Sequence, residues 1–168
     1  MPGPVTTITI PTTVTYLGEY AFAGNTSLKY IDAIDTTMSE KFDLDILESN
    51  ESGKPDSLYN KLHTFNNLIY IGRSAFENCD LLGFKSSNNQ LIINDYAFKN
   101  CSDLRVIELA TLKLDDFVFD NACNYVSDIN GENGSIVKVP ASVLGHLNVQ
   151  SFYNLSIFDD GSSLNPKL

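Results

Sequence analysis

The amino-acid sequence predicts an α/β solenoid, built from short parallel strands and short helical or 3-10 segments, with a cap at its C-terminal end. Three observations predict this fold class. A pattern of phenylalanine, leucine and small residues recurs four times, two of its three spacings are close to 22 residues, and the pattern stops near residue 135. Repeats of this length are typical of proteins whose coils stack along one axis.

The repeat is anchored by four phenylalanines, namely Phe22, Phe76, Phe98 and Phe119. They are separated by 54, 22 and 21 residues. An apolar residue lies five positions before each phenylalanine, and a small or β-branched residue lies immediately before it. Six positions after the first three come Leu28, Leu82 and Leu104. Val126 takes this role in the fourth copy if one residue is inserted after its phenylalanine.

Each copy predicts one coil of the solenoid. A single coil cannot bury its own apolar face, so each coil needs neighbours on both sides. The apolar run after the small residues, such as Leu104–Leu109, predicts a short strand. Strands of successive coils would pair in parallel at roughly 4.8 Å. The segments "EYAF" and "DYAFKNC" suit a short helix or 3-10 turn that points its phenylalanine inward.

The strand side of the coils is the predicted binding face. We expect an inward set made of Leu28, Ile31, Leu104, Ile107, Leu109, Val126 and Ile129. The outward set, and hence the candidate protein-binding residues, is Lys29, Tyr30, Asp32, Arg105, Glu108 and Asp128. Tyrosine and arginine are enriched at binding hot spots. The alternative is that these side chains only keep the protein soluble.

The 54-residue gap between Phe22 and Phe76 equals two periods plus about ten residues. It predicts a degenerate repeat with an insertion at about residues 35–66. Within it, "KFDLDIL" alternates like a strand, and Glu48–Leu62 reads as a polar loop in which Pro55 begins a helical turn. Long irregular loops in compact domains are often functional or mobile. A tolerated insertion is the alternative.

The C-terminal part breaks the pattern. "IVKVP" predicts a strand, "ASVLGHL" a short helix after Pro140, and "SFYNLSIF" a second helix or a closing strand. Terminal units of a solenoid must cover the last coil, so an atypical ending is expected. The predicted organisation is therefore a solenoid over residues 1–134, a capping unit over 135–158 and a flexible tail over 159–168.

Two stretches, "IPTTVTYLGEYAFAGNTSLKYI" and "LIINDYAFKNCSDLRVIEL", resemble the BspA-type leucine-rich repeats, also called the Treponema pallidum type. That pattern runs roughly I-x-x-x-A-F-x-x-C-x-x-L-x-x-I-x-L-P. The resemblance covers Val5 to Ile34 and Leu68 to about Ile129. It implies a right-handed leucine-rich-repeat solenoid. In three places the chain departs from the pattern: Asn25 replaces the cysteine, Val118 the alanine, and Lys85 an isoleucine for which Phe84 would substitute.

Three cysteines, Cys79, Cys101 and Cys123, recur in register. A zinc site needs four ligands, usually with paired Cys-x₂₋₄-Cys spacing, and this spacing of 22 residues offers none. The two histidines, His63 and His146, lie outside the register. We therefore expect a structural ladder of small buried side chains. One disulfide between neighbouring coils stays an alternative, and the odd count would leave a free thiol.

Composition excludes several kinds of function. The net charge of −10 and the pI near 4.4 argue against nucleic acids and anionic membrane surfaces, which attract basic proteins. No apolar run approaches the roughly 20 residues of a membrane span. The start, "MPGPVTTITI", lacks the features of a secretion signal. No nucleophile elbow, zinc-protease pair or phosphate-loop spacing occurs, so no enzyme activity, metal or cofactor is predicted.

Two functions remain as hypotheses. The first is protein recognition, and the resemblance implies its setting, because BspA-type proteins are typically secreted or surface-bound bacterial proteins and some act as adhesins. A host matrix protein or another cell-surface protein would then be the partner. The second hypothesis is a rigid spacer or accessory domain of a larger surface protein. Fold alone does not decide between them, because surface side chains select partners.

Overall fold

The structure is a computed structural model of the 168-residue chain, and it describes residues 5–34, 58–60, 62–122, 136–147 and 154–158. Within these residues lie ten strands, a helical turn at residues 58–60 and a 3-10 helix at Ala141–His146. The strands are β1 (Thr7–Pro11), β2 (Tyr16–Leu17), β3 (Tyr30–Ile34), β4 (Tyr70–Ile71), β5 (Gly83–Lys85), β6 (Ile92–Ile93), β7 (Val106–Glu108), β8 (Lys113–Leu114), β9 (Ile136–Pro140) and β10 (Asn154–Phe158).

The strands form two rows, and every described pair is parallel, as predicted. One row is the four-stranded sheet β2-β4-β6-β8. The other consists of the pair β1-β3 and the sheet β5-β7-β9-β10. The backbone N–H of Leu82 donates to the carbonyl of Lys29 at 3.0 Å and joins these two groups. Each coil therefore adds one strand to each row, which is the arrangement expected of a leucine-rich-repeat solenoid.

The phenylalanines form the centre of the core. Phe22, Phe76, Phe98 and Phe119 lie in a column in which neighbouring ring centroids are 5.4 Å apart. The side chains predicted to point inward are buried around this column, among them Leu28, Ile31, Leu104, Ile107 and Leu109. Val126 and Ile129 lie outside the described residues. The core thus runs along the axis and grows with each coil.

The segment around each phenylalanine is a corner of turns, so the predicted helix or 3-10 turn is wrong there. Alternate N–H groups bond in different directions. The N–H of Ala97 donates to Asn94 in its own coil, whereas the N–H of Phe98 donates to Val118 in the next coil at 2.9 Å. Because a helix would direct every N–H along its own segment, this alternation is incompatible with one.

Each corner contains two left-handed residues, one two positions before the phenylalanine and one two positions after it. The first set is Tyr20, Ser74, Tyr96 and Phe117, with φ between 56° and 62°. The second set is Gly24, Asn78, Asn100 and Asn121, with φ between 52° and 80°. Glycine and asparagine tolerate this conformation, whereas aromatic residues rarely adopt it. The left-handed pair turns the chain sharply from one strand row to the other.

The first two anchors belong to adjacent coils. β2 pairs directly with β4, Tyr16 opposite Tyr70 and Leu17 opposite Ile71. No other strand of the described residues lies between them in this row. The 54-residue spacing exceeds the following spacing of 22 residues by 32, and the degenerate repeat with an insertion at about residues 35–66 stays a prediction. Residues 35–57 lie outside the described part, whereas the helical turn at 58–60 agrees with the turn predicted after Pro55.

The second copy is one residue shorter than expected. Gly83 pairs with Val106 and Phe84 with Ile107, so Leu81, and not Leu82, is the equivalent of Leu104. The predicted alignment of Leu82 is therefore wrong by one residue. Leu81 and Phe84 are buried in the core, which confirms that Phe84 takes the place of the isoleucine. The shift turns Leu82 and Lys85 to the opposite face of the sheet.

The C-terminal unit continues the sheet and then closes it. β9 pairs with β7, Val137 opposite Ile107. The 3-10 helix follows Pro140 as predicted, and residues 154–158 form the closing strand that pairs with β9. The predicted boundaries at residues 134 and 158 stay predictions, and residues 159–168 lie outside the described part.

Candidate functional site

The predicted binding residues lie on the outer side of the β3-β5-β7-β9 row, which we name the strand face. Tyr30, Asp32 and Arg105 are nevertheless buried, with relative exposures of 1%, 0% and 8%. The expectation of an open face is therefore wrong for these three. Lys29 and Glu108 are partly exposed, and Asp128 lies outside the described residues. In the sheet, Lys138 occupies the place opposite Glu108.

The strand face is covered by the end of the insertion, residues 58–60 and 62, which we name the clasp. Leu58 and Leu62 are buried in a second, smaller apolar cluster. The strand face contributes the rest of that cluster, namely Tyr30, Leu82, Val106 and Ile136. Gly83 leaves room for the clasp, because a Cβ atom there would overlap the Leu62 side chain.

A row of charges runs across the strand face beside this cluster. Lys85, Glu108 and Lys138 lie opposite one another on β5, β7 and β9. The Tyr59 ring of the clasp lies between the two ammonium groups, whose nitrogens are 4.0 Å and 4.1 Å from its centroid. Its hydroxyl donates to Glu108 Oε1 at 2.7 Å. Two cation–π contacts and a charge-assisted hydrogen bond therefore hold the Tyr59 side chain.

Lys85 also binds the clasp backbone. Its ammonium donates to the carbonyls of Tyr59 and Leu62 at 2.9 Å and 3.0 Å. These carbonyls belong to the end of a helical turn, where acceptors lack partners within the helix. With Phe84 in the place of the isoleucine, Lys85 lies at an outward position opposite Glu108. It therefore holds the clasp without interrupting the apolar core.

Burial in the clasp changes two titrations. Burial lowers the pKa of Lys85 from its ordinary value, while Glu108 acts in the opposite direction. Burial raises the pKa of Tyr59, and its hydrogen bond to Glu108 raises it further. Since the phenol stays protonated well above neutral pH, it remains a hydrogen-bond donor to Glu108.

His63 adds a polar contact directly after the clasp. Its Nδ1 atom lies 2.7 Å from Oδ1 of Asp32, whose side chain is fully buried. On the corner side of the same row, Lys29 Nζ lies 3.5 Å from Asp80 Oδ2. Asp32 thus faces the insertion, and Lys29 stays partly open to solvent.

A second group of aromatic side chains, exposed or partly exposed, lies at and near the corners, and sequence reasoning missed it. We name it the corner ridge, and it comprises Tyr16, Tyr20, Tyr70, Tyr96 and Phe117. Tyr16, Tyr20 and Phe117 are 58%, 54% and 60% exposed. The signal that could have revealed it is the aromatic residue two positions before the anchor in three of the four copies.

Four of the five rings of the ridge form two stacked pairs, each between adjacent coils. The rings of Tyr16 and Tyr70 are parallel within 3° at 4.3 Å. Those of Tyr96 and Phe117 stack at 6.0 Å. Arg73 and Lys99 place their cations 5.5 Å and 5.0 Å from the Tyr96 centroid. The ridge therefore combines apolar area with fixed positive charge.

Three residues of the ridge have a strained backbone conformation. Tyr20, Tyr96 and Phe117 all have positive φ, and Ser74 shows that a small residue can occupy the same place. A left-handed bulky residue costs on the order of 1–3 kcal/mol, and such strain clusters at functional sites. Phe117 also borders a cleft of about 480 Å³ that Asp116, Asp120 and His146 help to line.

The cysteines are structural in the part of the chain that is described. Cys79 and Cys101 are buried free thiols. Each donates to the phenylalanine carbonyl of the preceding coil, Phe22 at 3.1 Å and Phe76 at 3.2 Å. Burial raises the pKa of the Cys79 thiol to about 11, which disfavours the reactive thiolate. Cys123 lies outside the described residues.

The described residues contain neither a cluster of side chains able to hold a metal ion nor a helix able to span a membrane. No three histidine, cysteine, aspartate or glutamate side chains there are arranged to hold a metal ion. No helix among these residues is long and apolar enough to cross a membrane.

The comparisons with known proteins agree with the fold. The family model described as the BspA type leucine-rich repeat region matches six copies over residues 3–42 and 56–158. Residues 43–55, which it leaves unmatched, lie within the insertion. None of the curated proteins and none of the solved structures compared with the chain matches it.

Proposed function

Since the chain belongs to the BspA-type leucine-rich repeat family, we propose that it is a non-catalytic protein-recognition module that binds its partner through the corner ridge. Leucine-rich repeats are generally binding modules without enzyme activity. The observation that carries the proposal is the exposure of Tyr16, Tyr20 and Phe117, each more than half open to solvent. Large exposed aromatic side chains grouped on one surface are typical of interaction sites.

The ridge is also rigid. Its corners are joined by backbone hydrogen bonds from coil to coil, such as Phe22 N–H to Ala75 and Phe76 N–H to Ala97, both at 2.8 Å. A surface that is fixed before binding loses little conformational entropy on association. Ring stacking restricts the side chains of the pairs Tyr16–Tyr70 and Tyr96–Phe117 in the same way. The ridge can therefore convert its apolar contact area into affinity.

The proposed setting is a bacterial cell-surface or secreted, adhesin-like protein. Its partner would be a host matrix protein or another cell-surface protein. The family supports this setting, because BspA-type proteins are typically secreted or associated with the cell surface. Lys29 and Glu108, which are partly exposed, and Asp128 stay proposed contributors to protein binding. The alternative, a rigid spacer, predicts no partner for the ridge.

The test compares the wild-type chain with Tyr20→Ser/Phe117→Ser on a panel of immobilised matrix proteins and host cells. Serine suits the backbone, because the second coil has Ser74 at this position with φ 57°. We expect saturable wild-type binding that the double variant weakens about tenfold or more. The control is Leu112→Ser, which removes a residue 52% exposed outside the ridge.

Two outcomes would overturn the proposal. If the folded double variant binds as tightly as the wild type, the ridge is not the site. If the wild type binds nothing on the panel, the spacer becomes the better hypothesis.

A further inference from the structure

The strand face has the features of a site built for a peptide. A β-sheet face that is open to solvent needs neither a gap left by a glycine, which we name the notch, nor a buried lysine. Gly83 weakens its strand, since glycine contributes no side chain to sheet packing. Lys85 loses hydration, with a relative exposure of only 7%. Both features become favourable only when a segment lies on the face, because Leu62 fills the notch and clasp carbonyls accept from the lysine.

We propose that the strand face is a peptide-recognition site and that the clasp is its own ligand, bound in cis. The face would then take a short helical segment with leucine at positions i and i+4 and tyrosine at i+1. This site is separate from the corner ridge, so it stands or falls independently of the function proposed above.

The leucines supply the apolar part of this recognition. Leu58 is fully buried and Leu62 is 5% exposed. Both belong to one apolar cluster with Tyr30, Leu82, Val106 and Ile136, side chains that come from four successive strands of the row or their edges. The spacing of four residues places both leucines on one side of a helical turn. A segment without either leucine would leave part of this row open to water.

The tyrosine supplies the polar part. The ring of Tyr59 contacts the ammonium groups of both Lys85 and Lys138, each about 4 Å from its centroid, so the face favours an aromatic side chain at this place. Only a tyrosine among aromatic residues can also donate a hydroxyl to Glu108 in that position. Lys85 further selects a helical end, because it binds two of the carbonyls that such an end leaves without partners.

The experiment measures binding of the synthetic peptide KPDSLYNKLHTFN, residues 54–66, to the variant Leu58→Ala/Tyr59→Ala/Leu62→Ala. The triple variant keeps the chain connected and opens the face. We expect saturable binding, and at least about tenfold weaker binding to the wild type, because its tethered clasp competes at an effective concentration on the order of millimolar. The same peptide with phenylalanine in place of tyrosine should bind several-fold more weakly, since it cannot donate to Glu108.

A scrambled peptide is the matched control. The proposal is overturned if a folded triple variant binds neither peptide, or both equally. Should the triple variant fail to fold, Gly83→Ala in the otherwise intact chain provides the second test. Its methyl group would displace Leu62, so hydrogen exchange of the Leu62 amide, which donates to Leu58, should become faster while that of Phe98 stays unchanged. Unchanged exchange at Leu62 would contradict a notch made for the clasp.

Discussion

At the scale of single residues, side chains repeat their contacts from coil to coil. The Asn100 amide donates to the Asn78 side chain at 2.7 Å, and the Asn121 amide donates to Asn100 at 3.0 Å. These asparagines also occupy left-handed backbone positions. Asparagine serves both needs, since it tolerates positive φ and carries a donor and an acceptor on one short side chain. Glycine at the first corner, Gly24, meets only the backbone need.

The two contributions of Asn100 can be separated. Asn100→Ala removes the side-chain hydrogen bonds with Asn78 and Asn121. It also places alanine, which tolerates the left-handed region less well than asparagine does, at φ 62°. We expect a loss of about 2–4 kcal/mol in the free energy of unfolding, measured in urea. Asn100→Gly removes the same hydrogen bonds and relieves the backbone, so its loss should be smaller by about 1 kcal/mol. Equal losses would show that the backbone conformation contributes nothing.

The thiol of Cys79 predicts a dependence of stability on alkaline pH. Its pKa rises from 9.0 to about 11 on folding, mainly because of burial. Between these values the unfolded chain releases the proton and the folded chain keeps it, so stability is complete below pH 9 and falls as the pH rises toward 11. We expect the wild type to lose roughly 1–2 kcal/mol more than Cys79→Ala across this window, by urea unfolding at each pH. Parallel curves for the two proteins would contradict the shift.

At the scale of elements, the short strands work because neighbouring coils approach closely. β2, β4, β6 and β8 have two residues each, too few to be stable alone. Gly72, directly after β4, allows a close approach of two backbones, since an added Cβ would lie 2.7 Å from the backbone of Gly18 and Glu19. A backbone atom cannot move aside as a flexible side chain can. The glycine therefore fixes the separation of the first two coils.

Gly72→Ala should separate these coils. We expect a loss of about 1–3 kcal/mol in unfolding free energy, the usual cost of overpacking. Gly18→Ala is the matched control, because its Cβ would meet nothing closer than 4.0 Å. Urea unfolding of both variants checks the prediction. If Gly18→Ala destabilises the protein as much as Gly72→Ala does, loss of backbone freedom and not the close approach is responsible.

The elements also show where sequence reasoning reached its limit. The repeat and its inward residues could be predicted, because Phe22, Phe76, Phe98 and Phe119 recur in a fixed local pattern. The one-residue deletion in "CDLLGF" could not, since either leucine fits the pattern and only pairing with β7 selects Leu81. The covered strand face could not either, because it depends on contacts between residues far apart in the chain, such as Tyr59 and Glu108.

At the scale of the whole molecule, stability should be distributed along the axis. Each coil contacts only its neighbours, so the total approximates a sum of coil and interface contributions. Phe98, fully buried, contacts Phe76, Phe84 and Phe119 and therefore belongs to two interfaces. Phe22 stacks on Phe76 alone among the described rings and is only partly buried. Substitutions of Phe98 and Phe22 should therefore destabilise different parts of the molecule.

Phe98→Ala should lower the total free energy of unfolding by about 3–5 kcal/mol, because the cavity weakens two interfaces in the middle of the stack. Phe22→Ala should cost less and loosen mainly the first described corner. Native-state hydrogen exchange distinguishes the two effects. In Phe22→Ala the amide of Gly24, which bonds to Glu77, should exchange faster while that of Asn100, which bonds to Asp120, keeps its protection. If Phe22→Ala accelerates both amides equally, the coils unfold as one unit, and the sum of neighbour interfaces does not describe this protein.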